Sequence, residues 1–154
     1  MKGGFWVQAE SEQLNRFLVE VFHDLLHLEE QTLAKGPFEN LSVSEMHVIE
    51  AVCDGQRDGK NSMAALAGRL RISAGTLTIA VKTLEQKGYL LRRRSKEDRR
   101  RVLVAATSLG QKAYEVHRQF HARMIAAVEA RLSPQQLQSL AQALATLHLF
   151  FSGS

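Results

Sequence analysis

The sequence predicts a mainly α chain with one small β element (α+β), on three observations. Two short helical segments follow one another across a tight turn, an apolar–cationic–apolar run comes next, and long, unusually apolar helical segments flank this block on both sides. Ser62 to Leu70 carries Met63, Leu66, Ala67 and Leu70 at three- and four-residue spacing, the period of a half-buried helix. Arg71-Ile72 turns the chain. Ser73 then stands where its hydroxyl can accept from an orphaned N–H of a second helix. There Leu77, Val81 and Leu84 share one face; Gly75, Ile79, Lys82 and Gln86 lie opposite, flanked by Thr76, Thr78 and Thr83. Gly88 ends this helix, as a residue free to take positive φ. Tyr89-Leu90-Leu91 and Val102-Leu103-Val104-Ala105-Ala106 then enclose the run from Arg92 to Arg101, in which Arg92, Arg93, Arg94, Lys96, Arg99, Arg100 and Arg101 are cations. Strand, polar turn, strand is the pattern of a hairpin. Helix, turn, helix and basic hairpin in unbroken order predict a winged helix-turn-helix.

The flanking segments follow the same logic. The first is a long helix with a stripe of Leu14, Leu18, Val21, Leu25 and Leu28, widened by Phe17, Phe22 and Leu26 and stopped at Gly36-Pro37. A helix this apolar needs burial on more than one side. Ser42, with Glu45 three residues on, fits a capping box for a helix bearing Val43, Met46, Val48, Ile49 and Val52. Asp54 to Lys60 looks like a flexible connection. After the hairpin, Thr107 or Ser108 starts a helix to about Arg131, striped by Ala113, Val116, Phe120 and Met124. Ser133-Pro134-Gln135-Gln136 opens the last helix with a cap, a first-turn proline and a reciprocal glutamine. Its Leu137, Leu140, Leu144, Leu147 and Phe151 have the spacing of a helix–helix seam. The expected organisation is an N-terminal dimerisation helix over 1–36, a winged DNA-binding domain over 41–107 and C-terminal dimerisation helices over 108–154, in one compact chain. The long N- and C-terminal helices form a dimerisation base, because a module of 41–107 cannot cover all their apolar surface. A two-fold homodimer presents two reading helices about one DNA turn apart, matching a pseudo-palindromic operator.

Charge points to the same partner. The formal net charge is +4 and the pI about 9.5. Lys82, Lys87 and the seven cations of the run make nine of the twenty Lys and Arg. Concentrated charge steers a polyanion better than a diffuse excess, so the expected partner is double-stranded DNA. The second helix would enter the major groove with small, hydroxyl-bearing residues, and the cationic hairpin would meet phosphates or the minor groove. The expected DNA-contacting residues are Ser73, Gly75, Thr76, Thr78, Lys82, Arg94, Lys96, Asp98, Arg99, Arg100 and Arg101. The single cysteine, Cys53, allows no internal disulfide and suits a reducing compartment. No apolar run is long enough for a bilayer and no secretory leader is visible, so a cytoplasmic, non-membrane protein is expected. No phosphate-cradling glycine loop, nucleophile elbow or paired-carboxylate site is present, so no enzyme activity and no required cofactor are expected.

In the order of its elements, the chain resembles the MarR family of bacterial transcription regulators over essentially its whole length. The most specific segments are Leu84-Glu85-Gln86-Lys87-Gly88-Tyr89-Leu90 and Ser95-Lys96-Glu97-Asp98-Arg99-Arg100. The resemblance implies a ligand-gated repressor whose wing aspartate, here Asp98, buttresses an arginine two positions on, here Arg100, which enters the minor groove. The additional Arg101 departs from that pattern and leaves Arg99, Arg100 and Arg101 competing for the role. Ala106-Thr107 replaces the family's usual Leu-Thr.

The effector stays open between readings. Ser44-Glu45-Met46-His47-Val48-Ile49, Gly75-Thr76-Leu77-Thr78 and His117 to Met124 resemble the FabT-type subgroup of fatty-acid-synthesis repressors. That resemblance implies long-chain acyl groups on acyl carrier protein as co-repressor. The first and fifth helices would then line an apolar tunnel, though their Leu and Phe equally suit a plain dimer core. His117 and His121, four apart on one helix face, have metal-binding spacing. The family's zinc-responsive members use histidines at such places and a carboxylate from the first helix; here that implies His47, His117 and His121 with Glu29 or Glu30. The bland alternative makes these histidines hydrogen-bonded core residues. His23 and His27, with Asp24 between them, read as surface or interface. Cys53, beside Asp54 at the end of its helix, reads as a small buried residue. An effector-free architectural DNA-binding protein is the remaining class.

Overall fold

Five of the helices begin where a side-chain oxygen accepts from a free helical N–H. In this computed structural model, α1 spans Gly3–Ala34, α2 Val43–Arg57, α3 Met63–Leu70 and α4 Ala74–Gln86; β1 spans Leu90–Arg94 and β2 Val102–Ala106; α5 is Ser108–Glu129 and α6 Pro134–Ser152. Residues 3–96 and 98–153 are described, 3–10 by their backbone alone; Glu97 of the wing motif, Met1, Lys2 and Ser154 lie outside the described residues. Ser42 and Glu45 close the expected capping box on α2, and Ser133 and Gln136 close the one on α6, with Pro134 in the first turn. Ser62 caps α3 rather than belonging to it, accepting from the Ala65 N–H at 3.3 Å. Ser73 caps α4 through the Thr76 N–H at 3.1 Å.

By contacts the chain divides into two units, Met1–Tyr114 and Glu115–Ser154, with the boundary inside α5. The first unit is larger than the 41–107 block, because α1 and the opening turns of α5 belong with it. Its core is Met46, Ile49, Val52, Leu66, Leu77, Val81, Leu84 and Val104, all fully buried, joined by Leu33, Phe38, Leu41, Tyr89, Leu90 and Ala113. The apolar faces of α2, α3 and α4 therefore meet one another and the inner side of the hairpin. Gly88 takes φ +82°, which lets the chain leave α4 and enter β1. Gly110 serves a different purpose: a Cβ there would stand 2.3 Å from the Tyr89 carbonyl oxygen, so only glycine lets α5 start against the strand.

Asp54 to Lys60 is not a flexible connection. The helix α2 continues to Arg57, and its last turn is tied down: the Tyr114 hydroxyl donates to Asp54 Oδ1 at 2.9 Å, and Arg57 also pairs with Asp54. The Gln56 side chain accepts from the Ala106 N–H at 2.8 Å, and Arg69 of α3 pairs with Asp58. Cys53 accordingly sits inside α2 and is buried, rather than ending it. Burial, more than the neighbouring Asp54 carboxylate, pushes its thiol up to about 11. Arg92, Arg93 and Arg94, expected in the turn of the hairpin, are strand residues. They belong to β1 and not to the hairpin tip, because all five positions from Leu90↔Ala106 to Arg94↔Val102 pair in one antiparallel register. A two-stranded sheet tolerates this, since its outward side chains face solvent.

Both outer edges of the hairpin are occupied. The Val104 N–H donates to the Asn61 carbonyl at 2.9 Å, and the Asn61 side-chain amide donates to the Val104 carbonyl at 2.8 Å. On the other edge the Arg92 N–H donates to Glu85 Oε1 at 2.9 Å. The end of α4 is stapled to the segment before α2. Lys87 Nζ donates to the Asn40 carbonyl at 2.6 Å and to both Glu45 carboxylate oxygens at 2.8 Å, while the Tyr89 hydroxyl donates to Asn40 Oδ1 at 2.7 Å. Burial raises the Glu45 carboxyl, but the Lys87 ammonium and the Ser42 hydrogen bonds outweigh it and leave the carboxyl below its usual value of 4.5.

The second unit holds the remainder of α5 and all of α6. His117 and His121 face each other there, ring centroids 4.4 Å apart and Nε2 atoms at 3.0 Å. No residue of α6 is fully buried, and Leu144, Leu149, Phe150 and Phe151 stand exposed. In the first unit, Leu14, Phe17, Val21, Phe22, Leu26 and Leu28 of α1 are likewise exposed. Among the described residues no single helix is long and apolar enough to cross a membrane.

Candidate nucleic-acid interface

The site rests on the second of two helices between which the chain bends by 106°. The turn is made by Arg71, a non-glycine residue at φ +54° whose N–H donates back to Gly68. Leu77, Val81 and Leu84 anchor α4 in the core and leave the opposite face outward. On that face Ser73, Gly75, Thr76, Thr78 and Lys82 are all exposed. A Cβ at Gly75 would meet nothing closer than Ser73 Oγ at 3.8 Å. The protein therefore has room for a side chain there, and the smallness serves what approaches from outside. The Thr78 hydroxyl donates to the Ala74 carbonyl at 2.8 Å, and that of Thr83 to the Ile79 carbonyl at 3.1 Å. With the proton engaged, Thr78 presents its methyl group and acceptor lone pairs to a base edge.

The wing tip runs from Ser95 to Arg101. The Ser95 N–H donates to the Arg101 carbonyl at 2.9 Å, closing the loop, and Arg101 N–H donates to the Asp98 carbonyl at 2.9 Å. Asp98 Oδ1 accepts from the Arg100 backbone N–H at 2.9 Å. The buttress is thus exerted on the Arg100 backbone, which sets where the side chain departs from the loop. Lys96, Asp98, Arg99, Arg100 and Arg101 are exposed, as is Arg94 at the end of β1; Ser95 is buried beneath them. Arg94, Ser95, Lys96 and Arg99 line an open cleft of about 380 Å³. A cationic concavity of this kind concentrates anions.

Three further residues, none of them among the expected DNA contacts, stand at this site. Ile79, at 69% exposure, is a large apolar side chain standing exposed in the middle of the outer face of α4. Arg71 holds its strained turn with no ion pair among the described residues. Glu85 joins the helix to the wing. The outer-face position of Ile79 was legible; the extent of its exposure was not.

Each unit, taken by itself, holds one pair of the metal candidates. In the first unit Glu29, buried on α1, approaches His47 at 3.5 Å, whereas Glu30 turns outward to His27 at 4.0 Å. Of the two carboxylates it is therefore Glu29 that faces His47. His117 and His121 form the other pair, within the second unit. His27 also contacts Gln31 at 2.7 Å on the exposed side of α1, and among the described residues it belongs to neither pair.

Comparison with known proteins agrees with this geometry. Residues 56–102, which run from the end of α2 through the wing, match the model of the MarR family. The HTH-type transcriptional regulator SarZ of Staphylococcus haemolyticus (strain JCSC1435) is 35% identical over 71 residues, 46% of each chain, so the match spans about half the length of that relative. Among solved structures, Streptococcus pneumoniae FabT in complex with DNA is similar over 93% of this chain and 98% of its own, at 28% identity and a TM-score of 0.85. The Staphylococcus aureus MepR–DNA complex is similar over 89% and 97%, with a TM-score of 0.74; at 19% identity it speaks to the fold alone.

Proposed function

We propose that this chain, a member of the MarR family, is a sequence-specific DNA-binding transcriptional regulator that acts as a repressor and works as a homodimer. One observation carries the reading: a single packed unit holds both the outward face of α4, free of any role in the core, and a hydrogen-bonded cationic wing. The likeness to a FabT–DNA complex over nearly the whole chain supports it. The homodimer rests on the exposed apolar residues of α1 and α6, which exceed the scattered apolar exposure usual for a monomer. The test is selection of duplexes from a random library by the full-length protein, with sedimentation of the free protein. Enrichment of a pseudo-palindromic site and a dimer mass are expected. A monomer that retains no preferred sequence would overturn the proposal.

The finer reading is that the regulator controls fatty-acid synthesis, with long-chain acyl groups on acyl carrier protein as co-repressor. The likeness to FabT and the abundant apolar side chains of α1 and α5 support it. Such a ligand acts by population shift, favouring the spacing of the two reading helices that matches the DNA repeat. The selected duplex titrated with acyl carrier protein bearing a long acyl chain should show tighter binding; unchanged affinity would reject this effector.

A zinc-responsive reading is favoured by the donor pairs Glu29–His47 and His117–His121. Both offer ligand atoms that zinc takes readily. Added zinc should then change affinity for the selected duplex, and His117→Ala should abolish that change while leaving any acyl-carrier response intact. A DNA affinity that ignores both additions leaves the architectural role, a DNA-binding protein without effector.

A further inference from the structure

We infer that Glu85 is a positioning residue that locks the wing to the reading helix and makes their DNA contacts interdependent. The inference rests on the DNA-binding reading above. Glu85 lies in the last turn of α4, and its carboxylate spans the gap to β1 with both oxygens. Oε1 accepts from the Arg92 N–H at 2.9 Å; Oε2 meets the Arg92 guanidinium at 2.7 Å.

The register explains why this contact holds the hairpin and not merely a side chain. Arg92 pairs with Val104, whose N–H and C=O point away from β1, toward Asn61. In an antiparallel pair, outward groups on one residue require outward groups on its partner. The Arg92 N–H is therefore turned away from β2 and has no partner within the sheet. Glu85 supplies one from α4, and Asn61 holds the opposite edge at the same rung. The hairpin is pinned from both sides at Arg92–Val104, a few residues below the cationic tip. A charge-assisted, two-point contact fixes direction as well as distance. Without it, the wing keeps its own ladder but loses its bearing relative to α4, and a two-stranded sheet has little stiffness of its own.

Electrostatics alone predicts the opposite sign. Glu85 is an anion beside a DNA-facing surface, so its removal would raise affinity for any polyanion. Positioning predicts a loss confined to the specific site. The test uses the full-length protein and the duplex it selects from a random library, against a scrambled duplex at the same salt. Glu85→Ala should weaken the selected duplex by about tenfold, the scale of one well-placed groove contact. Binding to the scrambled duplex should hold or tighten. Glu85→Gln, which keeps a carbonyl for the Arg92 N–H, should recover most of the loss. In a double-mutant cycle Glu85→Ala and Arg100→Ala should be strongly sub-additive, because a misdirected wing has already forfeited the Arg100 contact. Amide exchange at Arg92 should accelerate in Glu85→Ala, with the thermal midpoint nearly unchanged. Additive losses, or a Glu85→Ala variant that binds the selected duplex as well as the parent, would overturn the clamp and leave DNA binding standing. A parent protein that does not discriminate the two duplexes would overturn both.

Discussion

Ile79 offers the most discriminating single test, because its two possible roles give opposite signatures. It projects from the middle of the outer face of α4 at 69% exposure, so the folded chain gains little from its side chain. Ile79→Ala should leave stability unchanged or raise it by a few tenths of a kcal/mol, since alanine is the better helix former. In a major groove the same side chain would be covered. Burying an isoleucine is worth roughly 1.5–3 kcal/mol, and a groove covers only the portion now exposed. A loss of roughly 1–2 kcal/mol is then expected, or about tenfold in affinity. Because no charge changes, the dependence of affinity on salt should keep its slope. The assay is fluorescence anisotropy with the selected duplex over a salt series, beside thermal denaturation. Undiminished affinity would remove Ile79 from the groove. A midpoint lowered by several degrees would show that it supports the fold, contrary to its exposure.

Four further outcomes follow from the same structure. Lys82→Ala should reduce the salt slope of DNA binding by about one, the signature of a single phosphate contact; an unaltered slope assigns Lys82 elsewhere. Arg71→Gly should stabilise the fold by roughly 0.5–1 kcal/mol in chemical denaturation, because it relieves a left-handed backbone that disfavours side chains more than glycine costs in chain entropy; a destabilised variant would mean the guanidinium holds the turn. Native Cys53, with its thiol pushed up to about 11, should react negligibly with a thiol reagent at neutral pH and promptly once unfolded; rapid native labelling would contradict its burial. Glu45, held below 4.5 in the fold, contributes stability that is fully present above that pH and is lost as pH falls through its lowered value. Glu45→Gln should therefore cost stability at neutral pH and converge with the parent in acid; a gap that persists unchanged into acid would refute the linkage.

Much of this was legible in particular residues. Ser42, Ser73 and Ser133 mark helix starts because an orphaned N–H must find a nearby oxygen. Gly88 marks a stop because few residues take positive φ, and Leu77, Val81 and Leu84 mark the buried face of α4 because the helical period leaves them no other. The strand content of Arg92 to Arg94 was not legible, since pairing with β2 overrides what three successive arginines suggest. Nor was the ordering of Asp54 to Arg57: their polar side chains read as a loop until the distant partners Ala106, Arg69 and Tyr114 are in place. The direction of the Asp98 carboxylate, toward the Arg100 backbone N–H, was not legible either, since it depends on how the loop folds back on itself.

Local chemistry thus determined the order and ends of the elements, the two faces of α4 and the cationic character of the wing, because caps, periods and charge act over a few residues. Only the tertiary structure decided which carboxylate faces His47, why Gly110 must be glycine and what aims the wing. Each of these depends on atoms brought together from distant parts of the chain, and no spacing along a sequence encodes such a meeting.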